Sequence, residues 1–308
     1  MKLSLFDLHC DTAYEMYKEH LPLYESRLAV SLKKAHVFEH YIQVMAHWTP
    51  PALSDGDGWE QLKRVYANLL RDQSITSGEA RVANRCPNDP PDVPTLLFSL
   101  EDARVLGEEL SRVDALLTMG FRIVTPLWRG VSCIGGAHDT DQGLTDFGRA
   151  ALYKMATSDI LLDVSHASER SFEEILQISS DAKIPPIASH SNAYTLCPVS
   201  RNLSDGQIRA LLQANGIIGI NLFTDFLRYD GEANVEDVLR HVEYFLSLGA
   251  SDVLCLGCDL DGADVPQKLS DVSKLPLIAE VLLKHNYSET LIRALFFDNA
   301  YNFAKKYI

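Results

Sequence analysis

Eight short, largely apolar runs alternate with longer amphipathic stretches along the chain, and this alternation limits the fold more than any other feature. The runs are Ser4–Leu8, Ile42–Trp48, Thr95–Leu100, Arg122–Leu127, Ile160–Val164, Pro186–Ser189, Gly216–Leu222 and Asp252–Gly257. Runs of this length and apolarity suit strands buried on both faces of a parallel sheet. Between them, Trp59–Gln73 places Leu62, Val65, Tyr66, Leu69 and Leu70 at helical spacing. Asn234 caps a predicted helix that runs through Leu248 and stops at Gly249, and Ser204 caps one over Asp205–Ala214. A last helix is expected from about Ser288 to Lys306. Asn84–Pro94 and Pro50–Gly58 read as surface loops. Eight strand–helix units in 308 residues point to one closed (β/α)8 TIM barrel, an α/β domain spanning 1–308, more than to an open doubly wound sheet.

Charge and cysteine usage narrow the partners. A net charge of −14 argues against nucleic acid as the main partner and disfavours an anionic membrane surface, since both call for a basic face. The six cysteines are scattered. Cys255 and Cys258 stand three apart in an extended run, so they face opposite ways and share a zinc poorly. Free thiols in a reducing compartment are the better reading. With no signal-like N-terminus, no long apolar span and no anchor-like tail in the sequence, a cytoplasmic protein is expected.

The chemistry shows in where certain residues fall. His9 and Asp11 follow the first run, Glu101 the third, His166 the fifth, His190 the sixth and Asp259 the eighth. The C-terminal ends of the strands are where barrel enzymes place their active sites. A single histidine in such a loop is ordinarily a surface residue, and an aspartate after a strand is ordinarily a helix cap. Five of these groups, His9, Asp11, Glu101, His166 and His190, end four different strands and do not share one bland explanation. Three imidazoles with two or three carboxylates suit zinc or another divalent first-row metal. With one carboxylate shared, two metals fit better than one, and a paired site can hold a bridging hydroxide as nucleophile. His47 could line the pocket; His20, His36, His40, His138, His241 and His285 are expected to be structural or exposed.

At these residues the chain resembles the membrane (renal) dipeptidase family, zinc peptidases of the amidohydrolase superfamily. The matching stretches are Asp7–Thr12, Asp163–Ser168, Ser189–Pro198 with Arg201-Asn202, Gly257–Gly262 and Asp271–Lys274. The resemblance implies two zinc ions, His9 and Asp11 holding one, His166 and His190 the other, and Glu101 bridging them. It implies that Arg201 binds the substrate's terminal carboxylate with a bidentate fork, that Asp259 moves protons, and that Asp261 is a loop or supporting carboxylate. The implied substrate is a dipeptide, with tolerance of a C-terminal D-residue, and the implied assembly a homodimer. One departure is Trp128, which stands where mammalian members carry a substrate-contacting histidine; indole can donate a hydrogen bond but cannot accept a proton. Alternatives at this point are another amidohydrolase reaction on an N-acyl amino acid, lactam or lactone, or a metal-binding protein without turnover. Arg201 discriminates against a lactam or lactone, because a substrate lacking a carboxylate would not need it, and the full ligand set with Asp259 argues against a protein without turnover.

Overall fold

A computed structural model of the chain describes residues 2–308. All eight predicted runs form strands: β1 Leu5–Cys10, β2 Tyr41–His47, β4 Thr95–Glu101, β5 Phe121–Thr125, β6 Leu161–Leu162, β7 Ile187–Ala188, β8 Ile217–Ile220 and β9 Leu254–Leu256. A ninth, β3 Arg81–Val82, pairs beside the start of β4 and lies outside the barrel path. Its two residues, exposed Arg81 and half-buried Val82, are too few to show a period in the sequence.

Every ladder is parallel, in the order β6-β5-β4-β2-β1-β9-β8-β7. A bridge between Asp163 and Ile187 joins the two ends, with Val164 N donating to Ile187 O at 2.8 Å. The sheet is therefore a barrel, not an open doubly wound layer.

Alternation along the strands sorts the apolar side chains into two cores. Phe6, Leu8, Ile42, Val44, Leu97, Ile123, Ile187 and Ile217 fill the barrel interior, and a larger set packs between strands and helices. Cys255 in the last strand and Cys258 just after it divide as expected, Cys255 inside and Cys258 outside. All six cysteines are free thiols.

The helix capped by Asn234 spans Val235–Ser247, and the one capped by Ser204 spans Asp205–Gln213; both begin with a capping box. The helix predicted over Trp59–Gln73 spans Asp55–Leu70, starting earlier than its apolar spacing implied. Ser54 accepts from Asp57 N at 3.2 Å, and this cap carries the helix back through Gly56 and Gly58. The final helix runs from Glu289 to Tyr307 with one π-turn at Ala294–Asp298. Phe297 and Tyr301 from this helix, with Ile308 just past its end, close the bottom of the interior core. The chemistry must therefore sit at the other rim. Among the described residues no helix is long and apolar enough to cross a membrane.

His47 does not line the pocket. Its ring lies on the outer side of β2 against Phe98 and Phe121, with centroids 4.8 and 5.0 Å away, and its Nδ1 faces Met45 O at 3.0 Å. Burial pushes its pKa down to about 4. The unfolded chain takes up this proton near pH 6.5 and the folded chain only near 4, so stability falls as pH drops through that window. A gap of roughly 2.5 pH units corresponds to about 3 kcal/mol from this one ring. Urea unfolding of His47→Phe at pH 7 and pH 4.5 should show a fall in stability smaller than that of the parent protein; an equal fall would mean that His47 titrates freely.

Candidate metal centre

The site begins with a bulge. From Asp7 to Cys10, β1 uses three steps where β2 uses two, Gln43 to Met45. One extra residue reverses the alternation, so Leu8 stays in the interior core and His9 also turns inward. Asp7, beneath it, accepts from Cys258 N at 2.8 Å and from His9 N at 3.3 Å, which pins the bulge to the end of β9.

The structure brings six of the predicted residues together at the C-terminal rim. His9 Nε2 lies 3.4 Å from Asp11 Oδ2, 3.6 Å from Glu101 Oε2 and 3.8 Å from Asp259 Oδ1. The other oxygen of Glu101, Oε1, lies 3.1 Å from His166 Nε2 and 3.6 Å from His190 Nε2. Those two nitrogens are 3.0 Å apart. One carboxylate thus faces His9 with one oxygen and His166 and His190 with the other. Two sets of donor atoms lie close enough to hold a cation: His9, Glu101 and His190; and His9, Asp11 and Asp259. These groupings place Asp259 among the candidate ligands and tie His190 to His9, whereas the sequence reading gave Asp259 a proton-handling role and paired His190 with His166.

The donor set fits divalent metal. His9 Nε2 is buried without a hydrogen-bond partner. Burial opposes a charge on His9, but the carboxylates of Glu101, Asp11 and Asp259 push its pKa up to about 10. Burial holds Glu101 well above, and Asp259 above, the usual carboxylate range, with neighbouring acids adding to the effect. A buried cluster this rich in acid requires positive charge at its centre. Burial, and then the charges of Arg201 and His9, keep His166 and His190 well below the usual histidine range and so neutral, the form that binds metal.

Supporting groups set the tautomers. His166 Nδ1 faces Trp128 O at 3.0 Å, which leaves Nε2 as the lone-pair nitrogen. His190 Nδ1 faces Ser189 Oγ at 2.6 Å, and Ser189 in turn donates to Asp163 Oδ2. Asp163 also accepts from Thr125 Oγ1 at 2.6 Å and from the amides of Ser165 and Ser189. Partners of this kind tune a ligand's orientation and basicity. Ser189→Ala should weaken metal binding by about 10- to 100-fold, read by competition with a chromogenic chelator; unchanged affinity would remove the relay from the site.

Above the centre is a cavity of about 1000 Å³ lined in part by Asp11, Glu101, Trp48, Trp128, His166 and Asp259. His166 and Asp259 have φ values of 68° and 60°. Left-handed backbone is costly for such residues and clusters at functional sites. Gly262 leaves room for two of the acids, because a Cβ there would run into Asp11 Oδ2 and press on Asp259 Oδ1. Asn221 donates to Asp259 Oδ2 at 2.9 Å. Asp261 accepts from Ala29 N and Thr12 Oγ1, each at 2.6 Å, and so ties down the loop ahead of β2.

Arg201 lies just behind the cavity wall, almost fully buried. It donates to His190 O at 3.0 Å and to Ser191 Oγ at 3.3 Å, and its Nε has no partner. Burial pushes its pKa down to about 10. His138 corrects the sequence reading: it borders the cavity, its ring centroid 5.9 Å from that of His166 and its Nδ1 3.0 Å from Ser200 Oγ. It belongs to the loop after β5, with no strand-end position to mark it. Asp163, Ser189 and Asn221 were also missed as supporting residues. Their signal, polar residues closing apolar runs, was present but shared with many turns.

A barrel with this rim defines a metal-dependent hydrolase. The pattern of the membrane dipeptidase family, Peptidase family M19, matches residues 1–306. The chain belongs to that family and is a metallo-dipeptidase. A curated relative, an uncharacterized protein in the pqqA 5′ region of Klebsiella pneumoniae, is 31% identical over 256 residues, covering 78% of this chain and 92% of that protein. Among solved structures, a metallo peptidase from Rhodobacter sphaeroides, liganded with a phosphinate mimic of the dipeptide L-Ala-D-Ala, superposes with a TM-score of 0.92 at 24% identity over all of both chains. A structure described as dipeptidase AC gives 0.90 at 24%, covering 100% of this chain and 99% of that one.

Proposed function

We propose that the chain is a dinuclear zinc dipeptidase, one barrel domain over 1–308, in which His9 and Asp11 hold one ion, His166 and His190 the other, and Glu101 bridges the two. The observation that carries this reading is the division of Glu101, whose Oε2 faces His9 at 3.6 Å while Oε1 faces His166 at 3.1 Å. Zinc ions bound there supply Lewis-acid polarisation of the scissile carbonyl and a water acidic enough to serve as nucleophile at neutral pH. His166 and His190, fixed through Nδ1, keep Nε2 directed at the centre. Asp259, held by Asn221 at the cavity edge, takes the proton released during attack and passes it to the leaving amine nitrogen. Arg201, with its unpartnered Nε, binds the substrate's carboxylate and sets the peptide bond against the centre.

Tolerance of a C-terminal D-residue is part of the proposal and takes support from the ligand of the Rhodobacter sphaeroides relative. Six free cysteines support a reducing, cytoplasmic setting. A homodimer is proposed from the family resemblance alone.

The test combines elemental analysis with a substrate panel. We expect two zinc ions per chain, loss of activity on chelation with recovery on adding zinc, and hydrolysis of L,L- and L,D-dipeptides. Turnover of lactones, lactams or N-acyl amino acids in preference to dipeptides would replace the substrate assignment.

A further inference from the structure

Three aromatic rings form a continuous wall from the mouth of the cavity to the metal centre. Tyr14 packs edge-on to Trp48 with centroids 5.1 Å apart, Trp48 meets Trp128 at 5.1 Å, and Trp128 stands 6.5 Å from the ring of His166. All three line the cavity. They come from the segments that follow β1, β2 and β5, so the wall occupies one side of the barrel mouth. Arg201 and Phe226 come from the segments after β7 and β8, on the facing side, with the guanidinium 5.6 Å from the Phe226 ring.

Asp11 lies at the start of the helix Thr12–Glu19 that carries Tyr14, and Asp11 and Glu15 both line the cavity there. Lys18, Arg27 and Arg129 also line the cavity, but each is paired with an acid, Glu15, Glu19 and Asp139 respectively; among the described residues the buried cation across the mouth with no carboxylate partner is Arg201. A zwitterionic dipeptide laid over the centre therefore has its carboxylate toward Arg201 and its ammonium toward Asp11, since Glu15 is paired with Lys18, and this sets its N-terminal side chain against the aromatic rings. A cavity of about 1000 Å³ is far larger than two small side chains fill. The residues that could use the space are aromatic, since flat rings pack on flat rings and burying one from water is strongly favourable.

We infer that Tyr14, Trp48 and Trp128 form the specificity subsite for the N-terminal residue, and that the preferred substrates are dipeptides with an aromatic residue at that end. This rests on the dipeptidase reading above and goes beyond it in naming the side chain and the residues that select it.

The experiment compares Phe-Ala, Ala-Phe and Ala-Ala with the zinc-loaded enzyme and with Trp48→Ala and Trp128→Leu variants, each checked for folding by circular dichroism. In the parent enzyme kcat/KM for Phe-Ala should exceed that for Ala-Ala by at least about tenfold, and for Ala-Phe by a similar factor. In either variant the Phe-Ala to Ala-Ala ratio should shrink to within about threefold of one. Equal turnover of Phe-Ala and Ala-Ala by the parent enzyme would overturn the subsite without touching the dipeptidase reading. A preference for Ala-Phe would overturn the end assignment, and a ratio that survives in both variants would move selection away from the wall. If the zinc-loaded enzyme hydrolyses none of the three, the dipeptidase reading fails and the subsite with it. The comparison within the parent enzyme decides the matter even if a variant fails to fold.

Discussion

Glu101→Gln is expected to lose about 100-fold or more in kcat/KM and, on the dinuclear reading proposed above, to hold fewer than two metal ions per chain. The substitution conserves shape and removes charge. Glu101 is the one acid whose two oxygens face different imidazole groups, His9 on one side and His166 with His190 on the other. An amide keeps one oxygen as a donor to metal but presents an NH2 group to the other half. The loss of negative charge also weakens the field that draws cations to the centre, since Glu101 leads the effects that raise the pKa of His9 once burial is overcome. Elemental analysis with steady-state kinetics checks this. Two ions per chain and near-parent turnover would end the bridging role.

Asp259→Asn should behave differently. Its two candidate roles, proton handling and metal ligation, predict different metal contents. As the group that moves the proton, it should lower kcat by about 100- to 10000-fold with both ions retained, the range general acid–base catalysis contributes. Asn221 already donates to Oδ2, so the side chain stays placed while its basicity is gone. Loss of a metal ion together with activity would instead make Asp259 a ligand, in line with its closeness to His9 and Asp11. Parent-like turnover would exclude it from both roles.

The elements of the fold were legible because their signals are local. An apolar run of four to eight residues marks a buried strand wherever it goes, and all eight runs became barrel strands. Cap residues were also readable, as at Asn234 and Ser204, because a side chain satisfies an amide only two or three residues away. Where local rules competed, the outcome was less visible. Ser54 extended its helix through two glycines that the apolar spacing did not include.

The site was legible in part. His9, Asp11, Glu101, His166, His190 and Asp259 stand at strand ends, and a parallel barrel sends all strand ends to one rim. Position along the chain therefore predicted position in space. His138 had no such anchor and reaches the cavity by the long loop after β5. His47 does close a strand, yet its side chain takes the outward face, and only the register of β2 decided that.

By itself, the sequence determined the eight barrel strands, the helix caps at Asn234 and Ser204 and six of the residues that meet at the rim, since each follows from spacing within a few residues or from the common direction of parallel strands. Only the tertiary structure decided the turn of His9 inward at the bulge of β1, the closing of the barrel floor by Phe297 and Tyr301, and the assembly of Tyr14, Trp48 and Trp128 into one wall. These depend on contacts between segments tens to hundreds of residues apart, and a one-residue slip in register, which no local pattern records, reverses the face on which a side chain falls.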